Sequence, residues 1–324
     1  MEKITIVIPL YQVENYIRTC VESLLNQTDE NFRVIFVNDG TLDSSAEICA
    51  EYCKEYKNFK LIEKENGGLS SARNAGILEV ETDYVMFLDS DDWISEDTIE
   101  FLNYKLSMTH VDVITFRNKF VTNYKQPKQT INKIEELISG EEAFLRMISN
   151  SEITSFATDK LYRVSLFLEN DISFPENRYY EDLGTVYKIL LAAKRVCLTN
   201  KICYFYYIAN PNSITATVNE QKIKDMLSFY TDIYNVRLCK PFSDNASVKR
   251  IEEFYVDGCI YMLSKLFENR HAYKGIIDNI ESNINKIKVS PVKMNRQSHK
   301  TLFWLYKLKL LRIAIAFKGI LRKV

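Results

Sequence analysis

Residues 4–39 read ITIVIPLYQVENYIRTCVESLLNQTDENFRVIFVND, and their pattern decides the fold. Ile4 to Pro9 is a short unbroken apolar run, which describes a strand buried on both faces. Ile17, Cys20, Val21, Leu24 and Leu25 then recur at helical spacing, and a second apolar run follows from Phe32 to Val37. Strand, helix, strand in this order needs a crossover, so the two strands lie parallel in one sheet with helices on both faces. Working outward, Phe59 to Glu63, Tyr84 to Leu88 and Val111 to Phe116 continue the series. The expected class is α/β with a mostly parallel sheet, and in such sheets ligands sit at the carboxyl ends of the strands.

Beyond these strands the pattern changes twice. Ser155 to about Thr217 mixes extended and helical periods, with a loop over Phe174 to Asp182 and a helix over Leu183 to Ala193. After Asn219 it is helical throughout. The expected organisation is an α/β domain over residues 1–218, its first half ending near 117, and a helical annex over 219–324. Asn123 to Lys133 reads as an irregular polar excursion.

With 46% hydrophobic and 26% charged residues, the composition is that of a globular protein, neither disordered nor fibrous. Seven cysteines without paired spacing, and no leading apolar signal, argue for a reducing, cytoplasmic location. Cys49 and Cys53 lie one turn apart on an apolar stripe, with no His near them, and read as core. The net charge of −1 conceals a split: eleven Lys and Arg follow Glu281, and no Asp or Glu does. Leu302, Phe303, Tyr306, Leu310, Ile313, Phe317 and Ile320 share one helical face of this basic tail. That is the pattern of an interfacial helix, so contact with an anionic membrane surface at the inner face of the cell membrane is expected. A helix packed on the annex or on a second subunit would read the same way. No apolar stretch is long enough to span a bilayer.

Polar residues gather where strands end: Asn38 and Asp39 after the second strand, Asp89, Asp91 and Asp92 after the fourth. Carboxylates converging on one sheet edge repel unless a cation or hydrogen-bond donors lie among them. Asp89-x-Asp91 offers hard oxygen ligands for Mg²⁺ or Mn²⁺. Taken alone, the same residues also suit a turn and helix cap.

Four ordered segments resemble the family 2 glycosyltransferases of GT-A fold, in particular bacterial polysaccharide-biosynthesis members. They are TIVIPLYQVENYIRTCVESLLNQT, VIFVNDGTLDSS, ENGGLSSARNAG and YVMFLDSDDWI. TDKLYR, YYEDLGTVYKILLAAKR and YFYYIANPNSIT extend the likeness to about residue 217. The resemblance implies that Pro9, Leu10 and Tyr11 line the base of a nucleotide sugar, that Asp39 meets the uracil edge, and that Arg73 lies near base and diphosphate. It adds Glu14, Gly68 and Ser90 to that set. Asp89 would face ribose and metal, Asp91 would ligate Mn²⁺ or Mg²⁺, and Asp182 would be the base, with Glu181 as the alternative. Acidic residues in a helix's first turn are also favoured by its dipole, so spacing alone does not separate these roles. Lys160 and Tyr162 resemble an element beneath the acceptor site, and Ser213 and Thr215 a loop over the donor.

The implied activity is inverting transfer from a UDP-sugar to a hydroxyl of a saccharide or lipid-linked saccharide. Gln12, Asn38, Ile208 and Ala209 depart from the family pattern. A nucleotidyltransferase is the competing enzyme class. It would need a Gly-rich, cation-bearing loop after the first strand, where this chain reads PLYQVENY. A non-catalytic carbohydrate- or nucleic-acid-binding module is the third, disfavoured by intact Asp91 and Asp182, and nucleic acid is not an expected partner.

Overall fold

The computed structural model describes residues 3–123, 135–149, 152–210, 219–239, 244–266, 272–287 and 297–307. The chain divides into two compact units, Met1–Phe144 with Ile153–Ala216, and Leu145–Glu152 with Thr217–Val324.

The first unit starts β1 (Ile4–Leu10), α1 (Ile17–Leu25), β2 (Phe32–Asn38), α2 (Ser45–Glu55), β3 (Phe59–Glu63), α3 (Gly68–Leu78) and β4 (Tyr84–Phe87). It continues β5 (Trp93–Ile94), α4 (Thr98–Met108), β6 (Val113–Val121), β7 (Glu135–Ile138), α5 (Gly140–Ile148, whose end belongs to the second unit), β8 (Lys160–Arg163), α6 (Ser165–Leu168), α7 (Glu181–Ala192) and β9 (Val196–Tyr207).

Every residue of β1 is buried, as its unbroken apolar run requires. Its alternation serves two layers. Ile4, Ile6, Ile8 and Leu10 join a core with Ile17, Cys20, Val21 and Leu24 of α1. Val7 points the other way, against α3, where a Cβ on Gly76 would lie 2.3 Å from Val7 Cγ1. Only a glycine lets α3 approach this closely. Each aliphatic side chain buried in this way contributes about 1.5–3 kcal/mol.

The strand order is β3-β2-β1-β4-β8-β6-β9-β5, with β7 also on β9. β1 pairs parallel with both β2 and β4, in the register Ile6↔Val34 and Ile6↔Met86, and β2 pairs parallel with β3. Past β4 the sheet is mixed: β8 runs antiparallel to β4 and β6, β9 parallel to β6, and β5 and β7 antiparallel to β9. Parallel pairing thus holds through the first four strands and between β6 and β9, and antiparallel pairing enters with β8, β5 and β7. Reversal at β8 brings TDKLYR back through the middle of the sheet, a long-range pairing that local periodicity does not register.

In the second unit α8 (Glu220–Cys239), α10 (Lys274–Asn285) and α11 (Gln297–Lys307) pack on α9 (Asn245–Leu266). Tyr230 stacks on Phe254 and Tyr234 on Tyr255, both at 4.6 Å between centroids. At the described start of the basic tail, Phe303 is buried and the Tyr306 hydroxyl bonds Asn285 Oδ1 at 3.3 Å. This part of the apolar face therefore packs on the protein; residues 308–324 lie outside the described ones. Among the described residues no helix is long and apolar enough to cross a membrane. The six cysteines with described side chains are free thiols, and Cys49 is buried in the core as read.

Candidate functional site

Strand order explains why distant acidic residues meet. β4 is central, so the DSDD turn at its carboxyl end lies between the β1–β2 edge and the β8–β6–β9 half. Arg73, in the middle of α3, reaches into that space with its side chain only 1% exposed. Its Nη2 donates to Asp89 Oδ1 at 2.9 Å, and its Nη1 donates to Glu181 Oε1 at 2.9 Å and to Asp182 Oδ1 at 2.8 Å. Phe174 and Phe87 lie 5.2 and 6.0 Å from the guanidinium. One buried cation thus joins three carboxylates, and their charges hold its pKa above the ordinary value despite burial.

Glu181 and Asp182 open α7 after Tyr180, whose φ of 63° is left-handed. That backbone turn aims both carboxylates at Arg73. The helix begins two residues before the expected Leu183, so both acids sit in its first turn. Burial and then the charge of Asp182 push Glu181 up to about 7, and burial raises Asp182 as well. Asp182 Oδ2 also accepts from the Ala157 amide at 3.0 Å.

The DSDD turn is held from β9. The Tyr204 hydroxyl donates to Asp92 Oδ2 at 2.6 Å and accepts from the Asp89 amide at 3.1 Å, while the Tyr207 amide donates to Asp92 Oδ1 at 2.7 Å. Asp92 is thereby a structural anchor with its pKa raised well above the usual range, first by burial and then by Asp91 and Asp89. Asp91 Oδ2 accepts from Asn210 Nδ2 at 2.8 Å, and among the described residues it pairs with no cation. Burial raises its pKa too, with Asp89 adding to the effect. An incompletely neutralised oxygen donor beside like charges fits a hard divalent cation. Among the described residues no three His, Cys, Asp or Glu side chains gather as ligands. A metal would therefore rest on Asp91, with Asp89 beside it, and draw its remaining oxygen ligands from outside these side chains.

Asp39 occupies a neighbouring position at the start of α3. Its Oδ1 accepts from Lys64 Nζ at 2.5 Å and the Gly67 amide at 2.9 Å, and its Oδ2 accepts from the Gly68 amide at 2.7 Å. Gly68 has φ 83°, which lets its amide turn toward Asp39. The carboxylate expected at a uracil edge is thus already engaged as the cap of α3, and a base would have to share it. Pro9 and Leu10 are buried at the end of β1, and Tyr11 is 47% exposed beside them. Exposed Glu14 accepts from the Ser44 amide at 3.1 Å, while Ser90 is buried in the DSDD turn.

Lys160 and Tyr162 lie inside the protein. Both are fully buried: Lys160 donates to Phe156 O at 2.8 Å and pairs with Asp159, and the Tyr162 hydroxyl donates to Ala157 O at 3.0 Å. They support the Phe156–Ala157 backbone from below. Ser213 and Thr215 lie outside the described residues.

Lys64, Tyr204 and Asn210 went unread in the sequence. The strand-end rule that found Asp39 also covers Lys64, one residue past β3. Period 2 along YFYY places Tyr204 and Tyr206 on one face. A groove of about 690 Å³ opens at the opposite ends of β1, β2 and β3, lined by Thr5, Phe32, Arg33, Lys60 and Glu79 among others, and holds none of these candidate residues.

The chain is similar to known proteins. Glycosyltransferase GlyA of Streptococcus pneumoniae is 35% identical over 216 residues, covering 64% of this chain and 31% of that protein. The chain therefore matches less than a third of that relative's length. The EpsH protein of Bacillus subtilis is 31% identical over 231 residues, covering 70% of this chain and 67% of its own. The crystal structure of S. aureus TarS 1-349 in complex with UDP-GlcNAc superposes with a TM-score of 0.64 over 95% of this chain and 92% of that one, at 21% identity, which establishes the likeness of fold. The model of the glycosyl transferase family 2 matches residues 5–169, just over half the sequence and the whole parallel half of the sheet with its DSDD turn. By that match the chain belongs to glycosyl transferase family 2.

Proposed function

We propose that the chain transfers a sugar from a UDP-sugar to a hydroxyl of a saccharide or lipid-linked saccharide acceptor, inverting the anomeric centre. The observation that carries the reading is the Arg73 cluster, which ties the acidic turn after β4 to the acidic first turn of α7. The UDP-GlcNAc complex of TarS, of like fold, supports the donor class. The resemblance to polysaccharide-assembling members supports the acceptor and a place at the inner membrane surface.

Transfer of this kind needs an acceptor proton removed while a diphosphate departs. Asp91, with Asp89 beside it, would hold Mn²⁺ or Mg²⁺, which as a Lewis acid supplies charge neutralisation for the departing diphosphate. Arg73 holds Asp89 in place. Across the cluster, Asp182 takes the acceptor proton in a single in-line displacement, its geometry fixed by Arg73 and the Ala157 amide. A second reading makes Glu181 the base. Its pKa near 7 suits proton transfer at neutral pH, and only one of its oxygens is engaged by Arg73. Because the two acids face one cation, their titrations belong to the pair.

Release of nucleoside diphosphate from UDP-, GDP- and dTDP-sugars, with Mn²⁺ or Mg²⁺, tests the reading. Metal-dependent binding of UDP is expected in the parent and lost in Asp91→Ala. Asp182→Asn should bind donor and fail to turn over. Full activity in Asp182→Asn with loss in Glu181→Gln would move the base to Glu181, and absence of UDP binding in the parent would end the proposal.

A further inference from the structure

The same strand order that gathers the carboxylates leaves an aromatic group on the far side of them from α3. Phe120 of β6 and Tyr206 of β9 are register partners in a parallel pair, so their side chains share a face. Their rings are 5.4 Å apart, and Phe156 lies 6.3 Å from Tyr206. Ile208, one residue past the end of β9, is 53% exposed, as Phe120 is 55% exposed. Large apolar side chains normally bury most of their surface, so two left this open where β6 and β9 end call for an account.

Three observations tie this face to the reacting end of the sheet. Phe156 is followed by Ala157, whose amide holds Asp182. The phenol of Tyr206, raised by burial, is raised further by the charges of Asp89, Asp92, Asp91 and Asp182, so all four lie within electrostatic reach of it. Its neighbour Tyr207 holds Asp92 through its amide. Among the described residues the Tyr206 hydroxyl has no hydrogen-bond partner. A flat apolar ring with a free hydroxyl, beside the base and away from the nucleotide's end of the sheet, matches one ligand chemistry. A pyranose has an apolar face of axial C–H groups and a rim of hydroxyls, which such a tyrosine meets by stacking and by one hydrogen bond.

We infer that Tyr206, flanked by Phe120 and Phe156, is the platform for the sugar ring that receives the transferred group. This rests on the transferase reading above, and it assigns the acceptor's recognition to stacking on β6 and β9. The donor-side residues on β1, β2 and α3 lie on the other side of β4 and are not part of it.

Saturation-transfer NMR of the full chain with UDP and Mn²⁺-free Mg²⁺ tests it, using a panel of methyl glycosides: β-glucoside, β-galactoside, α-mannoside and β-N-acetylglucosaminide. At least one is expected to receive saturation, strongest on the protons of one ring face. Tyr206→Leu should weaken that signal at least about fivefold, and Phe120→Leu should weaken it less. Tyr206→Phe should keep the stacking and lose affinity by the hydrogen bond, about 2- to 10-fold. UDP affinity, measured in parallel, should be unchanged in all three variants, which also reports that they fold. Binding of UDP with no glycoside bound, or glycoside binding indifferent to Tyr206→Leu, would overturn the platform and leave the transferase reading standing. No UDP binding in the parent would instead remove the reading on which the platform rests.

Discussion

Arg73 and Asp182 stand 109 positions apart and meet at 2.8 Å, the guanidinium almost wholly buried between α3 and α7. The pair joins the two halves of the sheet through one side chain. Removing one partner of a buried ion pair costs about 3–5 kcal/mol, because the other partners are left without compensation. Arg73→Met leaves Asp89, Glu181 and Asp182 facing one another. We expect it to lower unfolding stability by about that amount, read from urea midpoints, and to abolish turnover. Arg73→Lys retains the charge but cannot reach three carboxylates with a fixed fork, so it should recover stability in part and activity little.

A pH dependence follows from Glu181. Its pKa is near 4.5 when unfolded and about 7 in the folded chain. The folded state therefore binds more protons than the unfolded state between these values, and stability falls as pH rises through that window. Below about 4.5 both states carry the neutral acid and the effect is absent; above about 7 the loss is complete. Glu181→Gln mimics the neutral form throughout. It should match the parent near pH 4.5 and be more stable at pH 8 by about 3 kcal/mol, at about 1.36 kcal/mol per pH unit across that window. Parallel curves for the two proteins from pH 4.5 to 8 would contradict this.

What the sequence disclosed and what it withheld divide along contact range. β1 to β4 are legible because each is a short apolar run, and the carboxylates because strand ends are where such sheets place chemistry. β6 was read as ending at Phe116, yet it continues to Val121, since pairing with β9 outlasts the apolar run. Arg73 shows the limit more sharply. A lone cation in SSARN reads equally as a solvated helix residue, and its three partners lie 16, 108 and 109 positions away. Only the fold reveals that it is buried. Lys160 is a second case: its motif suggests an element beneath the acceptor site, and only the fold shows that its ammonium is spent inside the core on Asp159 and Phe156.

Asn210 offers a test of the proposed metal position. It is the only side chain among the described residues bonded to that of Asp91, at 2.8 Å, and it is neutral, so it orients the carboxylate without competing for charge. Residues that orient a metal ligand typically account for 10- to 100-fold in metal affinity, as an order-of-magnitude guide. Asn210→Ala should raise the Mn²⁺ concentration needed for UDP binding by about 10-fold or more, in calorimetric titrations. Metal-free stability should change little. An unchanged Mn²⁺ requirement would place the ion away from Asp91.

Asn74, next to Arg73, makes the companion prediction for the base. Its Nδ2 donates to Phe174 O and its Oδ1 accepts from the Phe174 amide, both at 2.8 Å, so one side chain mimics a strand partner for the segment leading into α7. Phe174 in turn packs its ring on the Arg73 guanidinium. Truncation in Asn74→Ala leaves a buried amide and carbonyl unpaired, at about 1–3 kcal/mol. The larger effect should be on orientation: with the lead-in segment released, Glu181 and Asp182 no longer meet the acceptor hydroxyl at a fixed angle. We therefore expect kcat to fall about 10- to 100-fold while the KM for the sugar nucleotide holds, because the donor side of α3 is untouched. Asn74→Asp discriminates orientation from simple loss of stability. It keeps the acceptor half of the pair and loses the donor half, so kcat should lie between parent and alanine variant. Equal kcat values for the aspartate variant and the parent would sink the positioning role.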